Sequence, residues 1–261
     1  MIFAAKTDMG RVRSSNQDAH FMMEFSPDTA FFLVCDGMGG ANGGEEASRI
    51  ACDSARISIE EDIHVVLDDP TLDRTKYMPK ILSYAVQSAN LAVYDKSLED
   101  RTLSGMGTTL VGAVVLGDSM YVVNVGDSRL YLITETEVIQ VTRDHSYVQY
   151  LVDMGVLTEN QAENSPRKNI ITKAIGTDDT VDPDTFNVTL SEGQYVLLCS
   201  DGLSKELDKS EIFRIVHGDG SIEEKADALV ARANELGGND NITVVLVYPI
   251  GNPADGINDE E

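Results

Sequence analysis

The sequence predicts an α+β fold in which two packed antiparallel β-sheets are flanked by layers of helix. Three observations lead there. Two uninterrupted apolar runs, Phe31-Phe32-Leu33-Val34-Cys35 and Tyr195-Val196-Leu197-Leu198-Cys199, have the length and composition of buried strands. Residues 109–142 alternate strand-length apolar runs with tight turns, as a β-meander does. Four or five further segments carry apolar residues at helical spacing, and amphipathic helices need something flat to cover. Periodicity leaves the topology open.

In chain order, residues 2–5 read as a short strand and residues 7–18 as a polar loop with two acids (Asp8, Asp18) and two arginines (Arg11, Arg13). A second strand is expected at 19–25, with Pro27-Asp28 turning into the Phe31 run. That run ends abruptly in Asp36-Gly37-Met38-Gly39-Gly40. A helix opens at 45–52, where acids in the first turn favour the helix dipole. Residues 64–79 read as an irregular connection and 81–97 as a second long amphipathic helix. In the meander, Gly117-Asp118-Ser119 and Gly126-Asp127-Ser128 mark two of the turns. Residues 144–154 return to helical spacing with Asp144 as the N-cap. The polar stretch 156–183 reads either as a flap beside an active site or as a solvated loop. Beyond the strand at 196–199, helices are expected at 208–217 and 222–236, and Gly237-Gly238-Asn239-Asp240-Asn241 turns into a last strand at 242–248.

With 261 residues, 42% of them hydrophobic, and no Pro/Gly/Ser-rich linker, residues 1–249 are expected to form one domain. Residues 250–261 carry Gly, Pro and acids without periodicity and are expected to be a disordered tail. The 20 basic and 44 acidic residues give a net charge of -24, which disfavours nucleic-acid backbones and anionic membranes. Cys35, Cys52 and Cys199 lack metal-ligand or disulfide spacing, and a reducing cytosol is the natural setting. The N-terminal residues lack a signal peptide's apolar core, and no run of about 18 apolar residues occurs. The expectation is a soluble cytoplasmic protein without membrane insertion.

The chemistry lies in the carboxylates. Asp36, Asp201 and Asp240 each sit at a strand–turn junction, and Asp18 and Asp127 occupy comparable positions. Each Asp-Gly taken singly reads as a turn, whereas two behind matching buried strands deliver two carboxylates to one place. Hard oxygen ligands suit Mg²⁺ or Mn²⁺. Two such ions share and activate a hydroxide against phosphorus, and Arg13 supplies a bidentate fork for the phosphate.

Six motifs then carry a family resemblance. They are Asp8-Met9-Gly10-Arg11-Val12-Arg13-Ser14-Ser15-Asn16-Gln17-Asp18, Asp36-Gly37-Met38-Gly39-Gly40, Ser104-Gly105-Met106-Gly107-Thr108-Thr109, Val125-Gly126-Asp127-Ser128-Arg129, Ser200-Asp201-Gly202, and Gly237-Gly238-Asn239-Asp240-Asn241-Ile242-Thr243. In this order, across residues 7–247, the chain resembles the metal-dependent Ser/Thr protein phosphatases of type 2C, in their compact bacterial form. The resemblance implies a four-layer αββα sandwich with metals at one end of the sheets. It also implies that Asp36 bridges two central Mn²⁺ or Mg²⁺ ions and that the Gly37 carbonyl joins the second. Asp201 and Asp240 hold the first, and Asp18 binds through water or from the layer behind. Asp127, with Asp201, matches a weaker third ion, and Arg13 the phosphate-binding arginine. The implied activity is hydrolysis of phosphoserine and phosphothreonine in proteins by the bridged hydroxide, opposing a cognate Ser/Thr kinase, in a monomer.

The chain departs from the animal members at Met38, where they carry a histidine that is a candidate general acid, and at Gln17 and Lys205, where they carry acids. His145 reads as a capping or structural residue, Asp118 as a plain hairpin turn, and Asp8 as a brace for the Arg13 loop. Competing readings are a regulatory phosphatase of sporulation or stress pathways, a catalytically silent binding module, and a two-metal nuclease. Arg13, the intact aspartate set and the net charge argue against each in turn.

Overall fold

A computed structural model describes residues 1–69 and 71–249. The strands are β1 (Ile2–Asp8), β2 (Asp18–Ser26), β3 (Thr29–Met38), β4 (Gly107–Thr108), β5 (Leu110–Leu116), β6 (Ser119–Val125), β7 (Arg129–Ile133), β8 (Val138–Gln140), β9 (Asp184–Thr189), β10 (Tyr195–Cys199) and β11 (Ile242–Tyr248). The helices are α1 (Gly40–Asp62), α2 (His64–Leu67), α3 (Arg74–Glu99), α4 (Tyr147–Asp153), α5 (Glu159–Glu163), α6 (Asp201–Ser204), α7 (Lys209–Val216) and α8 (Ile222–Leu236). One antiparallel sheet runs β1-β11-β10-β7-β8 and the other β2-β3-β5-β6-β9, with β4 pairing the end of β3.

The apolar runs are explained by what lies on each side of them. Along β3, Phe32 and Val34 join the core between the sheets, against Leu130, Val196, Leu198 and Val245 of the other sheet. Phe31, Leu33 and Cys35 face the opposite way, into a core with Ala51, Ile59, Leu82 and Val86 of α1 and α3. In β10, Val196 and Leu198 face inward, while Leu197 and Cys199 pack with Ile212, Val216 and Leu229 of α7 and α8. A strand between a sheet and a helix layer has no solvent face, so its alternation disappears. The expected layers are therefore present: helix, sheet, sheet, helix.

Several boundaries differ from expectation. The connection at 64–79 is largely helical, because the Asp73 side chain caps Thr75 N at 3.1 Å and starts α3 five residues ahead of Pro79. Asp144 is not the cap of α4. Ser146 takes that role, accepting from Gln149 N at 3.2 Å, while Asp144 is held by the Arg129 guanidinium. The stretch 156–183 contains α5, closed by a Thr158/Gln161 capping box, and is tied back by bridges between Ser146 and Ile171 and between Thr108 and Ile175. Strand β9 was not anticipated. It alternates exposed and half-buried residues as an edge strand does. The tail at 250–261 lies outside the described residues.

Candidate active site

The loops at one end of both sheets gather the predicted residues. Asp36 lies near the end of β3, directly opposite Asp18 at the start of β2. Asp201 opens α6 immediately after β10, Asp240 precedes β11, and Asp127 lies in the turn between β6 and β7. Asp36, Gly37, Asp127, Asp201, Asp240 and Arg13 together line a cavity of about 420 Å³. Asp18 sits behind it, its Oδ2 accepting from Ser200 Oγ at 2.8 Å.

Backbone contacts hold these groups in place. Thr109 Oγ1 accepts from Asp36 N at 3.0 Å, and the Asp36 carbonyl accepts from Thr108 Oγ1 at 2.8 Å and Thr109 N at 2.9 Å. Asn241 fastens the Arg13 loop to the Asp240 loop: its Nδ2 donates to Met9 O at 2.9 Å and Ser15 O at 2.8 Å, and its Oδ1 accepts from Gln17 N at 2.9 Å. Asp8 braces the same loop by accepting from Gly10 N at 2.8 Å and Asn234 Nδ2 at 3.0 Å. Gly10 has φ +81°, and a Cβ there would meet Asp240 O at 2.1 Å, so only glycine allows this approach. At Gly37 a Cβ would lie 2.0 Å from Gly44 O and 2.5 Å from Gln17 O.

Electrostatically the cluster is incomplete. Asp18 Oδ1, Asp127 Oδ1 and Asp201 Oδ1 are buried with no hydrogen-bond partner. Burial, outweighing hydrogen bonds from Thr243 and Ser200, pushes Asp18 up to about 7. Burial and the neighbouring Asp201 charge push Asp127 up to about 7. Asp36 is held well above the ordinary carboxylate range by loss of hydration and then by the charges of Asp18, Asp201, Asp127 and Asp240. Unpaired buried carboxylate oxygens of this kind are costly without a cation. The donor set is oxygen throughout, as Mg²⁺ or Mn²⁺ requires.

Two protein cations partly answer that demand. Arg13 Nη2 donates to Asp240 Oδ2 at 2.7 Å, and Lys205 Nζ pairs with Asp201 Oδ2. Among the described residues no three His, Cys, Asp or Glu side chains form a ready-made ligand cluster. The buried, unpartnered carboxylate oxygens have the chemistry that a divalent ion requires of its ligands.

A second cavity, of about 620 Å³, adjoins the first and is walled by α4, α5, α6 and the start of α7. Asn169 and Ile171 bring the 156–183 stretch to the edge of the smaller cavity, and Glu159, Ala162, Glu163 and Lys168 bring it to the larger.

The other residues singled out in the sequence lie apart from this chemistry. His145 is structural: its Nδ1 accepts from Gly126 N at 3.0 Å, its own N donates to Gly126 O at 2.9 Å, and Nε2 lies 3.2 Å from Asp184 Oδ2. Asp118 is the plain turn expected, its carbonyl accepting from Leu190 N at 2.7 Å. In the sequence Thr109 and Asn241 stand out only as motif members, and Lys205 only as a departure from the animal pattern. The partners of Thr109 and Asn241 lie up to 232 residues away, and no local pattern announces them.

Comparison with known proteins agrees with the geometry. The family model described as protein phosphatase 2C matches residues 10–235. The serine/threonine phosphatase stp of Listeria monocytogenes serotype 4b is 36% identical over 242 residues, 93% of each chain. Among solved structures, the serine/threonine phosphatase Stp1 from Staphylococcus aureus superposes with a TM-score of 0.87 at 35% identity, over 95% of both chains. The catalytic domain of the serine/threonine protein phosphatase PstP, solved with two manganese ions, gives a TM-score of 0.78 at 32% identity, over 94% of this chain and 96% of that one.

Proposed function

The chain belongs to the protein phosphatase 2C family and is a protein serine/threonine phosphatase, and we propose that it hydrolyses phosphoserine and phosphothreonine at the cavity built from Asp36, Asp201 and Asp240. In this reading Asp36, Asp201 and Asp240 would hold the first of two Mn²⁺ or Mg²⁺ ions, and Asp36 and the Gly37 carbonyl the second. Asp18 would support them from behind, and Asp127 would hold a weaker third ion with Asp201. When bound, the central pair supplies Lewis-acid activation of water and neutralises phosphoryl charge.

The chain's own residues do the rest. Arg13, with about half its side chain exposed, leaves Asp240 and turns its fork to the phosphate, while the Asn241 contacts keep its loop in register. Thr108 and Thr109 fix the Asp36 backbone so that its carboxylate does not swing away as charge builds. Met38 carries no transferable proton, so the leaving hydroxyl takes its proton from water.

The observation that carries this reading is the set of three buried, unpartnered carboxylate oxygens around a cavity that Arg13 enters. The core shared by both sheets supports treating residues 1–249 as one catalytic domain with a flap within 156–183. The net charge of -24 favours phosphoproteins over nucleic acid as partners. No helix of the described residues is long and apolar enough to cross a membrane. The proposal extends to a monomer in the cytoplasm that reverses a cognate Ser/Thr kinase.

Hydrolysis of a phosphothreonine peptide, measured after EDTA treatment with Mn²⁺ or Mg²⁺ restored separately, tests the reading. Activity should return with metal in the wild type and not in Asp240→Ala. Metal uptake without hydrolysis in any condition would favour a silent binding module instead.

A further inference from the structure

The two cavities share three lining residues: Asp127, Asp201 and Lys205. These residues form the neck between them. Asp201 starts α6 and Lys205 caps its C-terminal end, so a single helical turn places the lysine four residues beyond the aspartate on the same side. The ammonium reaches Asp201 Oδ2, while Asp201 Oδ1 and Asp127 Oδ1 remain buried without partners. The Lys205 side chain is 31% exposed and that of Asp201 12%, so the pair is only partly open to solvent.

We propose that Lys205 is a tethered cation in this neck, which takes the place of a third divalent ion at Asp201 and Asp127 and competes with it. The proposal rests on the metal reading above and deepens it by naming what keeps the third ion weak. Asp201 Oδ2 cannot bond the ammonium and face a second cation at that point together. A divalent ion entering between Asp127 and Asp201 must either displace Lys205 into the larger cavity or sit beside its positive charge. The central pair is less affected, because Asp36 and Asp240 carry no contact to Lys205 among the hydrogen bonds and ion pairs of the described residues, and Asp201, which contacts it through Oδ2, keeps Oδ1 for the first ion. An ordinary exposed pair four residues apart contributes little and would leave metal binding untouched. That difference makes the idea testable.

The experiment is calorimetric titration of Mn²⁺ into the EDTA-stripped full chain, with bound ions counted independently from the electron paramagnetic resonance of free Mn²⁺. It compares the wild type with Lys205→Gln, which keeps a polar side chain without the charge, and Lys205→Arg, which keeps the charge. Lys205→Met gives the same reading should the glutamine variant misfold. Two tight ions are expected in every chain. The third should bind at least about tenfold more tightly in Lys205→Gln than in the wild type, and no more tightly in Lys205→Arg. Third-ion affinity in Lys205→Gln and Lys205→Met within twofold of the wild type would overturn the proposal while leaving the two-metal reading intact. Failure of the wild type to take up any Mn²⁺ would overturn both.

Discussion

Thr109 shows how much of this site is made by residues that touch no metal. Its hydroxyl accepts from Asp36 N and lies 2.6 Å from Ser128 Oγ, joining Asp36 of β3 to the neighbour of Asp127 in the turn after β6. Loss of such a support behind a ligand costs roughly 10- to 100-fold in metal affinity or rate. Thr109→Val keeps the shape and removes the hydroxyl, so its Mn²⁺ affinity should fall by that factor while the fold persists. Thr109→Ser should restore it. A Thr109→Val titration indistinguishable from the wild type would show that the backbone of β3 alone holds Asp36. At this scale the sequence was legible where chemistry and local structure coincide: a carboxylate behind a buried strand is conspicuous at Asp36 and Asp201. It was silent where the partner is distant, as for Thr109, and for Lys205, whose charge reads as ordinary surface until α6 turns it toward Asp201.

Among the elements, the turn between β6 and β7 draws support from residues well beyond it in the chain. Gly126, with φ +108° and a Cβ position only 2.6 Å from the Thr109 methyl, cannot be replaced without strain, and His145 clamps both its N–H and its carbonyl. Burial and the nearby Lys173 charge, against the opposing pull of Asp184, lower the His145 pKa, so the ring is neutral at pH 7 and Nδ1 is free to accept. His145→Ala leaves a buried N–H unpaired, at a cost of about 1–3 kcal/mol. For a chain of this size that is a fall of roughly 2–10 °C in the melting temperature by circular dichroism. His145→Asn, whose Oδ1 offers an acceptor in nearly the same place, should recover much of it. Equal melting of the wild type and His145→Ala would rule the clamp out. The elements that the sequence missed share a cause. Strand β9 has only weak alternation because it is an edge, and the cap of α4 moved from Asp144 to Ser146 because Arg129, 15 residues earlier, claims Asp144.

For the whole molecule, the layer order follows from three cores that each β-strand run divides between two faces, which is why the fold class was readable and the strand order was not. Pairing such as β1 with β11 joins the two ends of the described chain, and no local signal encodes it. The charge balance has a global consequence as well. In the metal-free chain Asp18 and Asp127 are raised to about 7 from an ordinary value of 3.8, so between those values the folded state binds more protons than the unfolded one. Their contribution to stability is fully present below about pH 3.8 and is lost as pH rises through about 7. The EDTA-treated protein should therefore melt at a lower temperature at pH 8 than at pH 5.5. Histidines with lowered pKa, such as His20, act in the opposite direction, so the decisive comparison is with Asp127→Asn, in which the difference between the two pH values should shrink. Mn²⁺ needs the same carboxylates ionised and binds only the folded chain, so its stabilising effect should be larger at pH 8 than at pH 5.5. Thermal scans of the wild type and Asp127→Asn, with EDTA or Mn²⁺ at both pH values, decide the point. A metal-induced rise in melting temperature that is the same at both pH values would mean that these buried acids are not the groups that the ions neutralise.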